Sequence, residues 1–378
     1  MIQRGYLQEV RRKLSLFPAV VILGPRQCGK TTLAKSLGGR YYDMEADGSY
    51  ARLDVEWDAI ARGDELAIID EVQEAPEVFN RLRGTIDADR KRNGRYLLLG
   101  SVSPNLISGV SESLAGRVGF VELSPLSLSE MGNKNLDSLW LYGGYPDGGV
   151  LDASMFPDWQ NSYLTALTSS DLPKWGLTAS APMTKRLLQM LAVHHGQPLN
   201  ASQLGQALGI DHKTVQRYID FLGSAFLLRN LPPYHANLKK RLVKRPRIYL
   251  RDSGLLHALL RVQDLDMLYG QPWLGQSWEG FVIEQVMAAL EIRNRAATPF
   301  YFRSSDGYEV DLLLDFGNEL CAVEIKLTSN PSKQEVDRLN KVADMVGATR
   351  RVFLCRTTKP FGNDTLTVTN PVSWLKTF

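Results

Sequence analysis

Cysteine is scarce in this sequence: Cys28, Cys321 and Cys355 are the whole complement in 378 residues. Their spacing forms no metal knuckle and no disulfide scaffold, and a reducing compartment suits them. An excess of one charge is also lacking. There are 44 Lys and Arg against 41 Asp and Glu, so a net charge of +3 selects no class of partner by itself. No apolar run approaches the roughly 20 residues that span a bilayer, which predicts no membrane insertion. Residues Met1-Ile2-Gln3-Arg4-Gly5-Tyr6 lack the apolar core of a signal peptide, and a cytoplasmic location is expected. Long low-complexity tracts are missing. What remains is the composition of a globular protein, 44% hydrophobic and 22% charged, in a length that accommodates two or three domains.

Against that background one segment stands out. Gly24-Pro25-Arg26-Gln27-Cys28-Gly29-Lys30-Thr31-Thr32 completes the pattern G-x-x-x-x-G-K-[ST]. It follows the apolar run Ala19 to Leu23, which has strand length, and precedes Leu33 to Leu37, which reads as a helix start. Glycines let backbone N–H groups turn inward around phosphate oxygens, and the helix start adds further donors. Lys30 is expected to reach the β- and γ-phosphates of ATP and Thr31 to hold Mg²⁺.

Leu66 to Ile69 is a second buried strand, ending in Asp70 and Glu71. Asp70 suits a Mg²⁺-bound water or Thr31, and Glu71 suits polarising the attacking water. A third strand, Tyr96 to Leu99, ends in Gly100-Ser101-Val102-Ser103. Ser101, and less well Ser103, would lie beside the γ-phosphate if that strand neighbours the Asp70 strand. Arg117, in Ala115-Gly116-Arg117, is read either as a phosphate sensor, in cis or from a neighbouring subunit of a homo-oligomer, or as a surface salt bridge.

These segments, with Gly143-Gly144-Tyr145-Pro146, resemble a prokaryotic family of AAA-type ATPases that carry a C-terminal DUF4143 domain. The resemblance covers nearly the whole chain. It implies an α/β P-loop domain with Lys30, Thr31, Asp70 and Glu71 at the nucleotide site, Ser101 as sensor and Arg117 as the Ala-Gly-Arg arginine.

Three regions are expected: residues 1–175, a P-loop AAA-type ATPase domain with linker; 176–245, a winged helix-turn-helix; and 246–378, the DUF4143 region. In the middle one, an amphipathic helix from Met183 precedes Asn200 to Ile210 and Asp211 to Ile219, with Gly209 at the turn and Asp211 as N-cap. His212, Lys213, Thr214, Gln216 and Arg217 would face a duplex if the second helix reads DNA. Lys239 to Arg247 holds six basic residues in nine, read as a nucleic-acid backbone patch or as a solvated loop.

In the last region Glu279 lies on a long helix. Glu309 to Leu314 and Cys321 to Leu327 read as an antiparallel hairpin that brings Asp311 beside Glu324. Lys326 shares the face of Glu324. Two carboxylates and a lysine suit Mg²⁺ or Mn²⁺ and an oriented water. The set resembles the PD-(D/E)xK restriction-endonuclease-like superfamily, with Val310 where the nominal motif has Pro. That resemblance implies Asp311 and Glu324 as metal ligands, Lys326 as catalytic lysine and Glu279 as the helix acid. The leading expectation is thus an ATP-driven, nucleic-acid-associated protein with a metal-dependent nuclease site. The alternatives are an ATP-dependent switch or scaffold for a protein partner, and a DNA-binding regulator whose C-terminal acids are relics.

Overall fold

The computed structural model describes residues 2–101, 113–132, 135–234 and 245–378. The first helix, α1 (Leu7–Leu16), leads into β1 (Ala19–Gly24), and α2 (Lys30–Lys35) follows the glycine-rich loop. Then come β2 (Arg40–Asp43), α3 (Ser49–Arg62), β3 (Ala67–Asp70), α4 (Glu77–Ala88), β4 (Tyr96–Ser101) and β5 (Val118–Glu122). The strands form one parallel sheet in the order β2-β3-β4-β1-β5. Strand β1 shows why no polar alternation is seen in the sequence. Ala19 and Val21 pack with Leu53, Trp57 and Leu82 of α3 and α4. Val20 and Ile22 pack with Val10, Leu33 and Ala34 of α1 and α2. Both faces are covered, so both residue sets must be apolar.

The middle region holds α5 (Asp158–Ala166), α6 (Ala181–Val193), α7 (Ala201–Leu208), α8 (His212–Ser224) and the antiparallel strands β6 (Leu228–Leu231) and β7 (Arg247–Leu250). The expected punctuation is present. Gly209 sits at φ 70° after α7, and Asp211 Oδ1 accepts from the N–H groups of Lys213 and Thr214 at 2.9 and 3.0 Å. Strand β7 begins at Arg247, beyond the expected boundary at residue 245, yet pairs with β6 before it. Helix α9 (Ser253–Leu259) begins at Asp252, which also accepts from the Gly144 N–H at 2.8 Å. A Cβ at Gly143, whose φ is 79°, would lie 2.2 Å from that carboxylate. The Gly143-Gly144 and Asp252-Ser253-Gly254 segments therefore interlock.

Helix α10 (Leu274–Ile292) packs Trp278, Val282 and Val286 against one face of a second, mixed sheet. That sheet comprises β8 (Thr298–Arg303), β9 (Glu309–Asp315), β10 (Leu320–Ile325), β11 (Arg350–Leu354), β12 (Phe361–Gly362) and β13 (Leu366–Thr369), in the order β12-β13-β11-β10-β9-β8. Helix α11 (Lys333–Val346) covers the other face through Leu339, Val342 and Val346. Among the described residues no helix is long and apolar enough to cross a membrane.

Candidate functional site

The loop between β1 and α2 takes two left-handed residues, Gln27 at φ 62° and Gly29 at φ 98°. Those turns curl the chain around the position of a phosphate. Lys30 is buried at 6% exposure, and its Nζ donates to the carbonyls of Gly24 and Pro25 at 3.1 and 3.0 Å. Thr31 Oγ1 donates to Asp70 Oδ2 at 2.6 Å, which joins the loop to the tip of β3. Two further groups hold Asp70: the Tyr41 hydroxyl at 2.8 Å and the Glu71 N–H at 3.0 Å. Glu71 itself lies at φ 49° and accepts from Gln73 Nε2 at 2.5 Å. Cys28 is buried, and its carbonyl accepts from Arg4 Nη1 at 2.7 Å. Arg4 also bonds Glu130 and the Ser124 carbonyl, so the N-terminal segment braces the loop from behind. Thr32 is exposed at the start of α2.

Strand β4 does neighbour β3, and Ser101 pairs with Gly24 in the β1–β4 ladder. The Ser101 side chain and all of Ser103 lie outside the described residues. Arg117 takes the second of its two expected places, the surface salt bridge. It directly precedes Val118, which pairs with Ala19 at the start of β1, whereas the loop leaves the end of β1. Five residues of parallel strand separate them, about 17 Å. Arg117 instead donates to both carboxylate oxygens of Asp87 at 2.8 Å. Strand polarity thus sets Arg117 apart from the phosphate loop of its own chain.

The second constellation lies at the end of the C-terminal sheet. The β9–β10 register pairs Leu312 with Val323, which sets Asp311 and Glu324 side by side at the end of the ladder. Lys326 Nζ stands between them, 3.2 Å from Asp311 Oδ2 and 2.7 Å from Glu324 Oε1. The Ile325 N–H also donates to Asp311 Oδ2 at 2.9 Å. Glu279 reaches the group from α10. Its Oε1 accepts from the Tyr249 hydroxyl at 2.5 Å and Arg247 Nη1 at 3.1 Å.

Arg247 and Tyr249 were not singled out in the sequence. Arg247 closes the basic run, yet it is buried, at 3% exposure, among acids. It bonds Glu279 and Glu309 and lies 3.9 Å from Asp311. For this residue both expected surroundings, a nucleic-acid patch and a solvated loop, are replaced by an internal ion cluster. Lys239, Lys240, Arg241 and Lys244 lie outside the described residues. A buried strand carrying Tyr249 between apolar neighbours was the available signal.

Burial raises the Glu279 and Glu324 carboxyls above the ordinary glutamate range, and the nearby Asp311 charge raises them further. Among the described residues, buried Glu324 Oε2 has no hydrogen-bond partner. Four acids, Glu279, Glu309, Asp311 and Glu324, meet three cations, Arg247, Arg303 and Lys326. Among the described residues no group of three His, Cys, Asp or Glu side chains is placed to hold a metal ion. Lys326 occupies the space between the two strand carboxylates.

The helices of the middle region present part of their expected face. His212, Lys213 and Arg217 of α8 are exposed, whereas Thr214 and Gln216 are half-buried and bond Asp211 and Asp220.

The first site and its sheet define an α/β P-loop ATPase. Comparison with known families agrees: an AAA domain matches residues 16–132, and domains of unknown function DUF8612 and DUF4143 match 133–266 and 274–375. The protein binds and hydrolyses ATP as an AAA-type enzyme and carries a C-terminal DUF4143 domain. Two mycobacterial proteins, Rv2008c of Mycobacterium tuberculosis and Mb2031c of Mycobacterium bovis, both described as uncharacterized, are 38% identical to it over 336 residues. The match spans 87% of this chain and 75% of each relative, and the chain belongs to their family. Among solved structures, the Walker-type ATPase PABY2304 of Pyrococcus abyssi is similar over 69% of this chain and 96% of its own, at 13% identity and a TM-score of 0.48.

Proposed function

We propose that this ATPase works on nucleic acid and that its C-terminal carboxylates form a metal-dependent phosphodiester-cleaving site of the PD-(D/E)xK kind. One observation carries the reading: Asp311 and Glu324 meet on neighbouring strands with Lys326 Nζ within 3.2 and 2.7 Å of them. Charged side chains in so apolar a setting are costly unless they are paired or functional. The donor set fits a hard divalent cation, Mg²⁺ or Mn²⁺, because carboxylate oxygens are its preferred ligands and Glu324 Oε2 has no hydrogen-bond partner among the described residues. Asp311 and Glu324 would hold it, and the ion would supply Lewis-acid stabilisation of phosphoryl charge. Lys326 orients the attacking water, and Glu279 assists from α10. In the ATPase site, Lys30 neutralises the terminal phosphates, Thr31 and Asp70 hold Mg²⁺, Glu71 polarises the water and Ser101 senses the γ-phosphate. Arg117 serves only in trans, in a homo-oligomer. The helices α6 to α8 and the β6–β7 pair are read as a winged helix that lays His212, Lys213 and Arg217 along the backbone of a duplex.

A second reading has its own support. Lys326 and Arg247 neutralise the acids from within, and no three-ligand metal group is found among the described residues. Such a cluster also suits an ATP-dependent switch or scaffold that binds a protein partner and cuts nothing. The deciding experiment measures ATPase rate with and without DNA or RNA, alongside Mg²⁺- and Mn²⁺-dependent cleavage, for the parent and Asp311→Ala. The first reading expects cleavage that Asp311→Ala abolishes, with binding that falls by about 0.9 log units per log unit of salt for each duplex phosphate neutralised. No binding at low salt and no cleavage would leave the second reading.

A further inference from the structure

Arg26 is the third residue of the phosphate loop, and its contacts lead out of the ATPase sheet. Its Nη1 donates to Asp171 Oδ1 at 2.5 Å, and its carbonyl accepts from the Tyr163 hydroxyl at 3.4 Å. Tyr163 lies on α5 and Asp171 in the turn that continues it. Both the side chain and the backbone of the loop tip are therefore held from the middle region. One turn further, Lys174 Nζ lies 3.8 Å from Glu45 and 3.0 Å from Glu74, three residues beyond Glu71. Glu45 in turn lies 3.8 Å from Arg26 Nη2. The charges alternate Asp171, Arg26, Glu45, Lys174, Glu74 from the loop to the turn after the acidic strand tip. They run along the edge of the sheet where the terminal phosphate belongs.

Stability does not account for this chain of pairs. Arg26, Glu45 and Lys174 are 40, 41 and 53% exposed, and such pairs contribute little. Asp171 differs, at 8% exposure, because a carboxylate so covered needs its cationic partner. What the arrangement determines is the direction of the guanidinium. Arginine carries several donors in a planar fork, so one edge can stay on a carboxylate while another meets phosphate. A cavity of 320 Å³ lined by Arg26, Gln27, Trp159, Tyr163 and Asp171 leaves room for that approach.

We propose that Arg26 is a catalytic residue of ATP hydrolysis that contacts the terminal phosphate, and that Asp171 of the middle region is its positioning residue. Charge building on the transferred phosphoryl group then meets a second cation beside Lys30. The ATPase rate depends in this way on the docking of α5 and the turn after it.

The test uses the full chain, with kcat, KM, calorimetric ATP affinity and Tm measured together. Arg26→Ala is expected to lower kcat about 100-fold, with a smaller change in KM. Asp171→Asn should lower kcat about tenfold and have no further effect in the Arg26→Ala background. The charge exchange Arg26→Asp with Asp171→Arg should recover the parent Tm and remain inactive. Recovery of ATPase by that exchange would mean that the pair only holds the regions together, and the proposal would fall. A parental kcat for Asp171→Asn, or equal effects of it in both backgrounds, would also overturn it. Should Asp171→Asn not fold, Arg26→Lys decides. It keeps the charge and removes the fork, so a parental kcat refutes the proposal and a lowered kcat at parental Tm supports it.

Discussion

Nine consecutive residues and one strand tip supply the ATP site, whereas the carboxylate cluster draws Arg247, Glu279, Asp311, Glu324 and Lys326 from β7, α10, β9, β10 and the turn after β10. In the first site Lys30 and Asp70 are buried too, at 6 and 3% exposure, but Lys30 rests on the carbonyls of Gly24 and Pro25 and Asp70 on the Thr31 and Tyr41 hydroxyls, so its charges meet neutral groups and wait for a charged ligand. The second is closed and answers its own charges: Arg247 is 3% exposed, Asp311 2%. The contrast teaches where a substitution should act. In the ATP site it should alter chemistry with little change in folding. In the cluster it should alter folding first, because removing one partner leaves an uncompensated buried charge.

The largest effect is expected at Lys30. Lys30→Ala should weaken ATP binding and hydrolysis by about 100-fold or more, because the charge facing the terminal phosphates is lost, while Tm stays near the parent. Glu71→Gln should spare binding and slow turnover. Calorimetry and steady-state kinetics check both. ATP bound as tightly by Lys30→Ala as by the parent would break the comparison at its first half.

Next in size is Arg247→Met, a volume-conserving change that takes the paired cation from buried Glu279, while Glu309 keeps Arg303 and Asp311 keeps Lys326. A loss of about 3–5 kcal/mol in denaturant unfolding is expected, with ATPase retained below the transition. Unchanged stability would show that the cluster is not held by its internal cation.

Acidity should separate the sites further. Glu279 is raised above its ordinary value of 4.5, first by burial and then by Asp311. A raised folded value means that the folded chain binds more protons than the unfolded one between 4.5 and that raised value. Its contribution is fully present below 4.5 and is lost as pH rises through the folded value. The parent should therefore gain stability relative to Glu279→Gln as pH falls through that window, as urea titrations at several pH values would show. A constant difference between the two proteins would contradict the burial argument.

The smallest effect is expected from Arg117→Ala. The Arg117–Asp87 pair is remote from the phosphate loop, so dilute protein should hydrolyse ATP at the parent rate. A loss that appears only at protein concentrations where the chain assembles would assign the arginine to a neighbouring subunit.

Much of this was open to reading in the sequence, and the reason is locality. A phosphate loop is contiguous, its strand and helix are announced by apolar runs, and Asp70-Glu71 ends a strand that has no polar alternation. The β9–β10 hairpin is short-range as well, so the meeting of Asp311, Glu324 and Lys326 follows from period-two geometry and a tight turn. The left-handed Gly209 and the Asp211 cap are local in the same way.

Strand order and buried counter-charge are not local. Arg117 lies in a motif that suggests phosphate sensing, yet the parallel pairing of β5 with β1 sends it to the far end of the sheet. Arg247 reads as one more member of a basic run until β7 carries it against α10 and β9. Asp171, 145 residues from Arg26, has no feature that pairs it with a phosphate loop. The sequence by itself determined the ATP-binding loop, its acids and the C-terminal carboxylate pair, because each is fixed by residues close together along the chain. Which charges meet across the regions was decided only by the tertiary structure, because a buried ion chooses its partner by proximity in space, and long-range packing alone sets that proximity.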